Sequence, residues 1–286
     1  MKGNAYLSYI LALLLFGSNG VVASRIALAS FEIVLLRTMI GSMFLLILFH
    51  LKGRRFRGLG RGRDFLFLIA SGVAMGVSWM FLYEAYRWIG VSFASLLYYC
   101  GPVVVMALSP LLFWEKLTLP RLVGFVAVLA GILLVNGRTE GRLNHWGVVC
   151  GLLSAVMYAL MVILNKKSAI TGLANSSLQL FASFLTAAVF AVAKGGVVLW
   201  GAAADWPWIL LLGLVNTGIG CYLYFSSIGK LPVQTVAVCG YLEPLAAVVF
   251  SVLLLGERMT FAQGLGTALV FGGSLFGSLL PGRGTQ

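Results

Sequence analysis

Apolar runs long enough to cross a bilayer follow one another along almost the whole chain, and few folds can accommodate them. A spanning helix needs roughly 20 apolar residues. The sequence supplies ten such runs, at 5–27, 31–51, 65–86, 91–113, 119–136, 146–165, 175–197, 206–227, 233–255 and 260–280. The connections are short and leave no room for a soluble domain. The only sizeable charged one is KGRRFRGLGRGRD at 52–64. With 60% hydrophobic residues and eight acids in 286, the chain could not cover a water-soluble surface. A net charge of +12 would suggest nucleic acid in a soluble protein. Here the basic residues sit between apolar runs, where they meet anionic headgroups and set orientation, so membrane lipids rather than nucleic acid are the expected partners.

The runs are organised as a duplication. Sliding Tyr99–Leu133 forward by 142 positions lays it without a gap on Tyr241–Leu275, with eleven of thirty-five residues identical. Tyr99 falls on Tyr241, Pro102 on Pro244, Ser109 on Ser251, Glu115 on Glu257, Thr118 on Thr260, Gly124 on Gly266 and Gly131 on Gly273. These residues have special backbone or charge behaviour, which shared hydrophobicity does not explain. The expected fold is therefore an all-α integral membrane protein of ten transmembrane helices in two five-helix repeats, 1–137 and 138–286.

Counting Lys and Arg on alternate sides orients the chain. With the N-terminus cytoplasmic, that side carries thirteen basic residues and the other six, and Arg37 is left inside a span. Both termini are thus expected in the cytoplasm. An odd number of helices per repeat then inverts one half relative to the other, the plan of many secondary transporters. Lys2, the first apolar run and Ala27-Leu28-Ala29 imitate a signal peptide, but removing that run would destroy the repeat, so it is read as the first helix. Asn175-Ser176-Ser177 matches a glycosylation acceptor on the side assigned to the cytoplasm and is discounted. Cys100, Cys150, Cys221 and Cys239 all fall inside spans without metal-ligand spacing and read as small apolar packing residues.

The duplicated five-helix unit, the Pro inside the fourth helix of each half and the Glu-(Lys/Arg)-x-Thr that ends it resemble the EamA-type members of the drug/metabolite transporter superfamily. The run LEP…LLLGERMT at 242–260 is especially similar to their second repeat. The resemblance spans essentially the whole chain. It implies a ten-helix carrier in a bacterial-type cytoplasmic (inner) membrane that moves amino acids or other small metabolites, often outward.

Several residues could carry such a function on physical grounds alone. Pro102 and Pro244 break backbone hydrogen bonding near the bilayer midplane, which is tolerated where the freed groups face protein or a wet cavity. Each reads either as a site-forming break or as a packing kink. Glu243, beside Pro244, is a carboxylate at the centre of a span, where charge costs roughly 2.5–3.5 kcal/mol on insertion scales. It either binds a cationic substrate group or a proton, or makes a structural hydrogen bond. Arg37 and Glu84 lie at similar depth in the outer half of the membrane. They could pair, or Arg37 could snorkel, or its two-pronged guanidinium could hold a substrate carboxylate. Glu115 and Glu257 end their helices beside Lys116 and Arg258 and read as interfacial structure. Trp79, Tyr83 and Tyr86 recur on the third span, Tyr98 and Tyr99 precede Pro102, Tyr241 precedes Pro244, Tyr158 lies on the sixth span, and Asn216, Gly220 and Tyr224 share a stripe on the eighth. Together with Glu243 they suggest a pocket for a partly apolar metabolite, with a proton or another ion as possible coupling partner. Gly72-x-x-x-Gly76, Gly147-x-x-x-Gly151 and Gly273-x-x-x-Gly277 permit close helix contact.

Other classes lack their residues. Two histidines, His50 and His145, near opposite surfaces, and two loop aspartates, Asp64 and Asp205, cannot assemble an intramembrane lipid transferase or protease. No P-loop for ATP and no repeated pore motif is present. No cofactor is expected, and either a monomer or a homodimer fits.

Overall fold

The first apolar run folds as two helices, α1 (Lys2–Gly17) and α2 (Asn19–Ala23), in place of the one expected. Ser18 joins them, and the helical path nearly continues, since Ser18 N donates to Leu14 O and Val22 N to Ser18 O. Then follow α3 (Ser30–Leu51), α4 (Gly62–Ile89), α5 (Val91–Tyr98), α6 (His145–Lys166) and α7 (Gly172–Ala193). The eighth run is composite: α8 (Trp206–Leu210), a π-helical stretch at Leu211–Ile219, and α9 (Gly220–Ile228). α10 (Leu242–Leu255) and α11 (Phe261–Leu279) are the last of the described elements. This computed structural model describes residues 2–53, 62–101, 144–196, 205–228 and 242–279, with isolated positions between 104 and 134.

Six helical stretches among the described residues are long and apolar enough to cross a membrane: Ala5–Ala23, Ser30–Leu51, Gly62–Ile89, His145–Asn165, Gly172–Ala193 and Trp206–Tyr224. The expected spans at 91–113, 119–136 and 233–255 fall partly or wholly outside the described residues. Pro102 and Tyr241 lie outside them as well.

Packing joins the first half of the chain to the second. α1 lies against α9, α10 and the π-helical stretch; α3 against α7 and the same stretch; α4 against α6 and α7; α5 against α6 and α10. If each run is exchanged with the one five places away, this set of cross-half pairs maps onto itself. The first run's contacts with the eighth and ninth become the sixth run's contacts with the third and fourth.

Small residues make the approaches close. A Cβ on Gly72 would stand 2.5 Å from Gln179 O and 2.6 Å from the Ala182 Cβ, so α4 and α7 touch backbone to backbone. Ser183 Oγ donates to Gly72 O at 2.7 Å across the same contact. Between α4 and α5 the chain turns at Gly90, whose φ of 76° suits glycine. The carboxylate of Glu257 then accepts from Val91 N at 2.9 Å and caps α5 from the second half, a structural contact. Glu115 lies outside the described residues. Asn175, Ser176 and Ser177 are buried at the start of α7, where no glycan fits. Cys100, Cys150 and Cys221 are buried free thiols, and Cys239 lies outside the described residues.

The joint between α1 and α2 is held from across the bundle. Asn216 Nδ2 reaches Leu15 O at 2.8 Å, Ser18 Oγ at 2.9 Å and Asn19 Oδ1 at 3.1 Å. Asn216→Leu removes this amide from the joint; Leu15 O keeps its bond from Ser18 Oγ, but the contacts to Ser18 Oγ and Asn19 Oδ1 are lost, a cost of about 1–3 kcal/mol. A thermal melt of the purified variant in detergent is expected to shift downward, and an unchanged midpoint would show that the joint does not need this side chain.

Candidate functional site

Seven residues into α3, Arg37 carries its charge into the centre of the bundle, and only 1% of it is exposed. Snorkelling is therefore excluded. Its Nε donates to Thr217 Oγ1 at 2.9 Å and its Nη1 donates to the Tyr83 hydroxyl. The guanidinium carbon sits 4.4 Å from the ring centroid of Trp79 and 5.2 Å from that of Tyr83, over faces that attract cations. Nη2 has no hydrogen-bond partner among the described residues.

The π-helical stretch explains how Thr217 serves Arg37. Its hydroxyl donates to Leu212 O at 2.8 Å, five residues back, the spacing a π-helix opens. With its proton committed there, the oxygen can only accept from the arginine. Gly41 of α3 faces this stretch so closely that a Cβ would stand 2.9 Å from Thr217 Cγ2 and 3.2 Å from Gly213 O. The sequence reading missed Thr217. The polar Asn216-Thr217 pair inside an apolar run was the available signal.

Trp79 and Tyr83 are one turn apart on α4 and share the face that meets Arg37. Tyr83 packs against Tyr86 with ring centroids 5.3 Å apart. Both tyrosines line a cavity of about 510 Å³ whose other walls come from Gly20, the 23–24 and 26–29 segments, Ile33, Arg87 and Val91. That cavity lies at the end of the bundle where α2 meets α3 and α4 meets α5. Tyr83 borders this cavity and also bonds Arg37, which does not line it.

Glu243 stands half-buried in the first described turn of α10. The Tyr99 hydroxyl and the Arg37 guanidinium both lie near enough to act on its charge. Tyr98 stacks edge-on against Tyr99 and Tyr158, with centroids 5.1 Å apart in both cases. On the far side, Tyr224 of α9 packs against Tyr9 at 5.5 Å and Phe16 at 5.7 Å, and it too lies within range of the Glu243 charge. Pro244 follows in the same turn. At this level α1 crosses α10, since a Cβ on Gly17 would meet Glu243 O at 2.8 Å.

Of the residues singled out from sequence, Arg37, Trp79, Tyr83, Tyr99, Tyr158, Tyr224 and Glu243 thus converge. Glu84 does not join them, and the Arg37–Glu84 pair is corrected. Glu84 Oε2 accepts from Ser30 Oγ at 2.7 Å and Oε1 from Trp88 Nε1 at 2.8 Å. Arg37 lies two turns below Ser30, about 10 Å deeper along α3, so one carboxylate cannot serve both. Asn216 is likewise occupied with the α1–α2 joint.

A membrane-embedded helical bundle whose described residues place a buried cation and a carboxylate among aromatic side chains is the class that fold and site define. The model of the EamA-like transporter family matches the chain twice, at residues 3–137 and 145–279, and the protein belongs to that family, within the drug/metabolite transporter superfamily. It is 27% identical over 281 residues to the "Uncharacterized transporter YxxF" of Bacillus subtilis (strain 168), covering 95% of this chain and 88% of that one. It is 24% identical over 287 residues to "Uncharacterized transporter YetK" of the same organism, covering 94% and 85%. A solved crystal structure superposes with a TM-score of 0.70 at 19% identity, covering 99% of this chain and all of the other, a likeness of fold. The protein is a multi-pass membrane transporter.

Proposed function

We propose that the protein is a secondary active exporter of amino acids or similar small organic metabolites, working by alternating access in a bacterial-type cytoplasmic membrane with both termini inside. The observation that carries this reading is the presence of opposite charges, Arg37 and Glu243, within electrostatic range of each other among aromatic side chains, of which Tyr83 borders the cavity. A zwitterion offers a carboxylate for the first and an ammonium for the second, and aromatic rings accept both a cation and an apolar side chain. Two inverted five-helix repeats, 1–137 and 138–286, supply the mechanism. The self-mapping set of helix contacts and the double family match support that symmetry. In such a carrier the helices of one repeat rock against those of the other around a fixed central site. Glu243 takes up and releases the coupling proton or holds the substrate's amino group.

The test begins with a thermal-shift screen of purified protein against amino acids, nucleosides and organic cations, since a ligand of the folded state raises its stability by mass action. The best binder is then labelled and its uptake measured in protein-containing and empty vesicles. Saturable uptake of an amino acid is expected. Saturable uptake confined to nucleosides would refute the substrate class.

A further inference from the structure

The open hydrogen bonding of Arg37 has a pattern. One edge of the guanidinium is fixed by Nε on Thr217, and one face is covered by Trp79. The remaining edge, formed by Nη1 and Nη2, carries only the neutral Tyr83 hydroxyl on Nη1 and nothing among the described residues on Nη2. This edge is the end-on fork that matches the two oxygens of a carboxylate. Among the described residues no carboxylate bonds to the guanidinium, and Glu243 acts on it only across the site, so its burial is costly and an arriving anion offsets that cost. Thr217 and Trp79 meanwhile hold the guanidinium in place, so little freedom is lost when the anion docks.

We propose that the Nη1–Nη2 edge of Arg37 is the docking point for a substrate carboxylate, which takes both nitrogens and displaces the Tyr83 hydroxyl. The proposal rests on the transporter reading and specifies the charge its substrate must carry. Tyr83 lines the cavity on one side and bonds Arg37 on the other, so it stands between an incoming solute and the cation. The Tyr83 hydroxyl keeps Nη1 satisfied while the site is empty and yields to the stronger, charge-assisted pair. A single guanidinium in aromatic surroundings matches a monoanion. A phosphate dianion would bring a second negative charge that no described residue at this edge balances.

Thermal shift on the full-length protein in detergent tests this with L-amino acids and simple monocarboxylates, each beside its primary amide, and with inorganic phosphate. Acids are expected to raise the melting temperature, and their amides and phosphate are not. Arg37→Lys keeps the charge but loses the fork and should weaken acid binding at least about tenfold. Tyr83→Phe keeps the ring and removes the competing hydroxyl, so acid binding should tighten by about fivefold, the worth of one neutral hydrogen bond. If Arg37→Lys does not fold, Tyr83→Phe alone decides. Amides binding as well as acids, phosphate binding in their place, no acid binding at all, or unchanged or weaker acid binding in Tyr83→Phe would each overturn the proposal. If no acid binds but vesicles exchange a neutral or cationic solute saturably, the docking point falls and the transporter reading stands. Acid binding without any exchange does the reverse.

Discussion

Glu243→Gln is expected to leave the protein folded and to remove the response of transport to a pH gradient. Amide and carboxylic acid have nearly the same shape, and Tyr99 can donate to either, so the packing of α10 against α1 and α5 has no reason to change. The glutamine cannot take up or release a proton. A carrier that couples through this position should therefore keep exchange and lose gradient-driven accumulation, or lose affinity for solutes whose amino group the carboxylate holds. Uptake by wild type and variant, reconstituted in the same vesicles with and without an imposed pH difference, measures this. Identical profiles would assign Glu243 a purely structural hydrogen bond, and Glu243→Ala would then act only on the melting temperature.

The second large effect concerns the contact of α4 with α7. Gly72→Leu places a side chain where a Cβ alone already lies 2.5 Å from a backbone oxygen, and backbone on the opposing helix cannot step aside as a flexible side-chain tip would. Even Gly72→Ala should cost about 1–3 kcal/mol through overpacking. The leucine variant is expected to lose its monodisperse peak in size-exclusion chromatography. Gly264 in α11 provides the control, because a Cβ there meets nothing within 4 Å among the described residues. Gly264→Ala should be neutral or raise the melting temperature slightly, since alanine suits a helix better than glycine by about 1 kcal/mol. Equal melting temperatures for Gly72→Ala and wild type would show that the two helices can separate freely.

How far the sequence reaches into this structure varies with the kind of force involved. Helix placement was readable because hydrocarbon imposes it. The expected span 31–51 appears as Ser30–Leu51, and 65–86 appears within Gly62–Ile89. Arg37 and Glu243 could be singled out for a related reason, since charge in an apolar run must have a use or a partner. Which partner was not readable. Arg37 and Glu84 were matched on depth inferred from distance along the chain, yet two helical turns separate Arg37 from the Ser30 that Glu84 binds. The π-helical stretch leaves no periodic trace over nine residues. It sets the direction of Thr217, so the residue that anchors Arg37 escaped notice. The interruption at Ser18 has a local signal in Gly17-Ser18-Asn19-Gly20, but its meaning depends on Asn216, nearly two hundred residues away.

Counterflow in sealed proteoliposomes bears most directly on a carrier built around Arg37 and Glu243. Vesicles preloaded with an excess of the unlabelled acid identified by thermal shift are diluted into trace labelled acid, with wild type, Arg37→Lys and empty vesicles compared. Wild type should take up label transiently above its equilibrium level, with a rate that saturates as external acid rises, and Arg37→Lys should need a higher concentration to reach half-saturation. Label entering in proportion to its concentration, indifferent to preloading and to the variant, would contradict alternating access and describe a passive pore.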